Sequence, residues 1–102
     1  MGIDVRIQDE RGGLVRELLD PRSLLPRLLP QVNGNRSACV RFIDPYGDTY
    51  FNQLQVPVLL AELKAVVSTC ADKEAKAHGE AVIALVESAN ESMHTYVRFI
   101  GD

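Results

Sequence analysis

Three side chains near the end of this chain come closest to a site. His94, Tyr96 and Arg98 alternate with Thr95, Val97 and Phe99, so an extended backbone over residues 94–102 sets all three on one face. Arg41 and Tyr50 belong to two further strand-like segments and join that stripe as candidates. Amphipathic rings and arginine are the groups that anchor protein interfaces, so the stripe suits recognition of another protein. It would also suit base stacking on single-stranded nucleic acid. The net charge of −3 argues against that use, because nucleic-acid binding draws on cations that displace counterions. The plain alternative is a solvated sheet face with ordinary cross-strand pairs.

A second group is acidic. Asp44, Tyr46 and Asp48 crowd one short segment, and Asp102 reaches them if the strands align. Oxygen donors of this kind take hard cations or small polar ligands. Turn chemistry explains them more simply: an Asp at the first turn position accepts bonds from the turn backbone, and Pro45 presets φ for the second.

The remaining reactive side chains are scattered. His78 falls on the inner stripe of a helical segment, where a hydrogen-bonded core-edge histidine is the expectation. Cys39 and Cys70 lie in apolar surroundings without paired spacing, which reads as two separate buried thiols rather than a disulfide or a metal site. Either cysteine with His94 would make a nucleophile and base, but no third orienting group is identifiable. There is no glycine-rich phosphate loop, His-Glu-x-x-His, Gly-x-Ser-x-Gly or Cys-x-x-Cys. The sequence therefore implies no cofactor and no metal, and it carries no catalytic signature.

The elements that must position these groups are legible from periodicity. Residues 3–8 alternate strictly, residues 9–13 supply a glycine-bearing turn, and residues 14–19 read as the second strand of a hairpin. Asp20-Pro21 ends it, and Ser23 is placed to cap a short helix carrying Leu24, Leu25, Leu28 and Leu29, stopped by Pro30. Residues 31–37 read as a loop. Residues 39–43 and 49–52 form a second expected hairpin around Asp44-Pro45-Tyr46-Gly47-Asp48, with Gly47 in the left-handed region. Two helices follow. The first starts at Pro57 and buries Leu59, Leu63, Val66, Val67 and Cys70, leaving Glu62, Lys64 and Ser68 to water. The second is capped by Asp72 and buries Ala75, His78, Val82, Leu85, Val86 and Ala89. The final strand carries Val-Arg-Phe-Ile at 97–100, the same four residues found at 40–43.

The order β-β-short α-β-β-α-α-β predicts a single α+β domain over residues 1–102. Its sheet has about five mainly antiparallel strands, with two long helices on one face. The last strand would lie inside the sheet, beside residues 49–52 or parallel to 39–43. With 46% hydrophobic and 25% charged residues, the composition is that of a globular chain. The charged start lacks a signal peptide's apolar stretch, and no run is long enough to span a bilayer, which places the protein in the cytoplasm without a membrane partner. Residues 1–43 hold seven basic and five acidic groups, whereas residues 44–102 hold four and nine. The expected function is a small non-enzymatic protein-binding domain, in its narrowest form an immunity-type inhibitor that occludes a basic partner. The alternatives are a small-molecule- or metal-dependent activity at the sheet edge and a homodimer joined through that edge.

Overall fold

The computed structural model describes residues 2–29, 38–90 and 94–101; the expected loop at 31–37, Pro30 and Asp102 lie outside them. The chain forms β1 (Asp4–Asp9), β2 (Leu14–Leu18), α1 (Leu25–Leu28), a 3-10 turn (Val40–Phe42), β3 (Asp48–Phe51), α2 (Val56–Ser68), α3 (Lys73–Asn90) and β4 (Thr95–Ile100). This is the expected α+β class, with four strands among the described residues instead of about five. All pairings are antiparallel, in the order β2-β1-β4-β3.

The β1–β2 hairpin closes as its residues dictate. The Asp9 carboxylate accepts the N–H groups of Arg11 and Gly13 at 2.9 and 2.7 Å. Gly12 supplies φ +82, which costs a glycine nothing. β4 then enters between β1 and β3 and is a central strand of the sheet. Its Val97 and Phe99 are fully buried with Val5 and Ile7 of β1. Phe99 meets Phe51 of β3 edge to face, with ring centroids 5.8 Å apart.

The helices cover this inner face. α2 buries Val56, Leu59, Leu60, Leu63 and Val67, and α3 buries Ala75, Gly79, Val82, Val86 and Ala89. Gly79 sits where α1, α2 and α3 converge: a β-carbon there would stand 2.6 Å from Val67 Cγ2 and 2.9 Å from Leu28 Cδ1. Asp72 caps α3 as expected, accepting the N–H groups of Glu74 and Ala75. The Ala75 N–H, followed by the Arg27 guanidinium, holds its carboxyl below the usual aspartate range.

Three expectations are corrected. Residues 39–43 are not a strand: Val40–Phe42 is a 3-10 turn, with Val40 and Ile43 buried and Phe42 59% exposed. The cause is Glu62, expected to face water. Its carboxylate accepts the N–H groups of Ala38, Cys39 and Val40 at 2.6, 3.0 and 2.9 Å, satisfying donors that a strand would have offered to a neighbour. Gly47 does not adopt a positive φ. The 44–47 turn forms, with Gly47 N–H donating to Asp44 O at 3.4 Å, but it joins no hairpin that would need a bulge. Finally, Ser23 does not cap α1. Asp20 does so, and Ser23 instead takes a left-handed φ of 55.

The Glu62 contact predicts a pH dependence. Burial opposes its charge, but the N–H groups of Val40, Ala38 and Cys39 and the nearby Arg41 outweigh it, so folding lowers its pKa. Its stabilisation is therefore complete above the ordinary glutamate value of 4.5 and is lost as pH falls through the depressed folded value. Urea unfolding of the wild type and Glu62→Gln should show a stability gap at neutral pH that closes on acidification. A gap independent of pH would refute the assignment.

Candidate functional site

The outer face of the sheet is built from the side chains that alternate with the core. Register places them in rows. Asp4, Ile100 and Asp48 form one; Glu17, Arg6, Arg98 and Tyr50 form the next; Leu14, Gln8 and Tyr96 form the third. Tyr50 is 53% and Tyr96 39% exposed. The helices pack on the opposite face through Val5, Ile7, Phe51, Val97 and Phe99.

Arg98 is the centre of the second row. Its Nη2 donates to Asp48 Oδ2 at 2.5 Å, and its guanidinium carbon lies 5.3 Å from the centroid of the Tyr50 ring. The Asp48 hydrogen bond raises the Arg98 pKa further above its ordinary value, against the opposing effect of desolvation. Arg6 stands directly opposite Arg98 across the β1–β4 pair. Its Nε lies 3.2 Å from Glu17 Oε2 without the alignment of a hydrogen bond, and the Nε atoms of both arginines are shielded and unbonded. The alternation of residues 3–8 gives Arg6 its face but not its cross-strand partner, so the sequence does not bring it into the site.

The other candidates are dispersed. Arg41 lies in the 3-10 turn, its guanidinium carbon 4.7 Å from the Phe42 ring, so it is off the sheet. His94 precedes β4 with φ 59, which ends the alternation before it. Its Nδ1 is 3.6 Å from Glu10 Oε2 at the β1–β2 turn, with both side chains mostly exposed. Asp44 serves the turn: its Oδ1 accepts the Tyr46 N–H at 2.8 Å, and its own N–H donates to Thr49 Oγ1 at 2.9 Å. Tyr46 is 80% exposed. Among the described residues, no group of three His, Cys, Asp or Glu side chains is placed to hold a metal ion. Both cysteines are buried. The Cys39 thiol faces Gln55 O, and that of Cys70 faces Asp72 O. Burial, followed by the Glu62 carboxylate, pushes the Cys39 thiol up, away from the nucleophilic thiolate.

One constellation escaped the sequence altogether. Asp20 is 2% exposed, and its carboxylate accepts the N–H groups of Ile3, Leu24 and Leu25 at 3.1, 2.7 and 3.0 Å. Its own N–H donates to Asp4 Oδ1 at 2.8 Å. His78, with a side chain 10% exposed, brings Nε2 to 3.7 Å from Asp20 Oδ1, too far for a hydrogen bond. An Asp four residues before a leucine-rich segment was the available signal, but its target at Ile3 was not. A cavity of about 480 Å³ opens beside it, lined by Asp4, Leu19, Asp20 and Ile100 among others, and so adjoins the first row of the outer face.

Against known proteins, the chain matches no family model, no curated protein and no solved structure. Among the described residues, no helix is long and apolar enough to cross a membrane.

Proposed function

We propose that this protein acts by binding another protein through the outer face of its sheet. The observation that carries the reading is the joint placement of Tyr50, Tyr96 and Arg98 on a face that the helices leave open. Two half-exposed tyrosines with an arginine held over one of them form a preordered amphipathic surface, which loses little conformational entropy on docking. The narrower form, an inhibitor of a basic partner, rests on the net charge of −3.

The small-molecule or metal reading is less well supported. In its widest form it adds His94 to Asp44, Tyr46, Asp48 and Asp102, but Asp48 pairs with Ile100, at the far end of β4 from His94. Six strand positions separate them by about 20 Å.

Site-specific photocrosslinking in the native host tests the binding reading. A crosslinker at Tyr50 or Tyr96 should give one stoichiometric protein adduct, and a crosslinker at exposed Lys76 on α3 should not. Equal labelling from Lys76, or none from the tyrosines, would remove the proposal. Loss of the adduct when crosslinking is carried out at moderate salt, together with a partner of basic composition, supports the basic-partner form.

A further inference from the structure

We propose that the protein forms a symmetric dimer through the solvent face of α2, which pairs antiparallel with the same helix of a second copy. This contact uses the helical side of the molecule and leaves the outer sheet face open, so it stands apart from the binding reading above.

The wet side of α2 carries no charge along its centre. The helix has only two charged residues, Glu62 and Lys64. Glu62 engages the backbone of residues 38–40, and Lys64 Nζ turns toward α3, 3.4 Å from Glu87 Oε2. The outward row is Leu54, Val58, Ala61 and Ala65, all exposed. Leu54, at 88%, is the most exposed large apolar side chain among the described residues. It joins the row because residues 52–56 already form a helical turn, closed by the Val56 N–H to Asn52 O at 3.1 Å. At 3.6 residues per turn the four positions fall within about 60° of one another, opposite the buried Val56, Leu60, Leu63 and Val67. A surface helix ordinarily sets polar residues on that side, and a contiguous exposed apolar patch marks an interface.

The order of sizes in the row names the occupant. Its spacings of four, three and four residues read the same in either direction. A twofold axis between Val58 and Ala61 therefore sets Leu54 opposite Ala65 of the second copy, and Val58 opposite Ala61 of the second copy. Each large side chain meets a small one at both ends of the contact, and the row has no charge to meet its own copy. The β2 edge is the competing place for a second copy, with Leu14 and Val15 exposed. Antiparallel pairing centred on its middle residue sets Arg16 against its own copy, and moving the centre to Glu17 opposes two glutamates. α2 is free of that conflict. Its row spans about 17 Å, short of a standard interface, so the dimer is weak and concentration-dependent. The pair then presents two outer sheet faces to the partner, one on each side.

Sedimentation equilibrium of the full-length protein, from micromolar to near-millimolar concentration, tests the pairing. The average mass should rise from that of the monomer toward twice it. Leu54→Ala should weaken association about tenfold, by leaving a gap opposite Ala65. Ala65→Leu should weaken it as well, because two leucines then collide. Combining the two changes restores large against small in reverse order, so the double variant should associate as the wild type does. Both replaced side chains are exposed, and far-UV circular dichroism checks that the variants remain folded. Unspecific apolar association predicts that Ala65→Leu tightens the dimer, and that result would overturn the pairing. So would failure of the double variant to recover, a mass that stays monomeric throughout, or a dimer lost with Val15→Lys but not with Leu54→Ala. Crosslinking from Tyr50 and Tyr96 reports the partner face separately, so either reading can fail alone.

Discussion

Replacing Asp20 with alanine is expected to lower the unfolding free energy by about 3–5 kcal/mol, because it strands several buried N–H donors at once. Those donors belong to Ile3 at the start of β1 and to Leu24 and Leu25 at the start of α1. One carboxylate thus ties the first strand to the first helix, with His78 of α3 behind it. In a domain of this size the melting temperature should fall on the order of 15 °C or more. His78→Gln should cost much less, since its Nε2 makes no hydrogen bond. Urea unfolding monitored by circular dichroism separates the two. Equal losses would show that the histidine, and not the backbone donors, gives Asp20 its weight.

The duplicated Val-Arg-Phe-Ile offers a second large effect with an internal control. Phe99→Ala should cost about 3–5 kcal/mol, because the ring is fully buried and packed edge to face on Phe51. Phe42→Ala removes the same side chain from the same tetrapeptide and should cost about 0.5 kcal/mol. Its ring is 59% exposed and lies under the Arg41 guanidinium. Similar losses at the two positions would contradict the assignment of residues 40–42 to a surface turn.

Much of the architecture was readable before any coordinates. The strict alternation of residues 3–8 made β1, the Asp9 and Gly12 turn made its hairpin, and the leucine and valine spacing made α2 and α3. Asp72 caps α3 and Asp44 orders its turn through neighbours two or three residues away, so those roles were legible too. The candidate site was partly legible. Alternation put Tyr96 and Arg98 on one face, and Tyr50 joined them once β3 paired with β4. It also grouped Arg41 and His94 with them. Arg41 falls away because its segment is not a strand, and His94 because a left-handed residue interrupts the alternation.

Local pattern by itself determined the class of fold, the two long helices, the first hairpin and the inward or outward sense of the β1 and β4 residues. Those features depend on neighbours within about four positions, where backbone geometry and burial of one face suffice. Tertiary structure alone decided the fate of Val-Arg-Phe-Ile, which is a central strand at 97–100 and a turn at 40–43. In the first case β1 and β3 take its backbone bonds; in the second Glu62, 22 residues from Val40, takes the Val40 N–H, and those of Phe42 and Ile43 bond back to Cys39 O and Val40 O. Tertiary structure also decided that Arg6 faces Arg98 and that Asp20 reaches Ile3. Each such contact joins groups whose separation along the chain carries no periodic signal, because it is set by which surfaces pack and not by which residues follow one another.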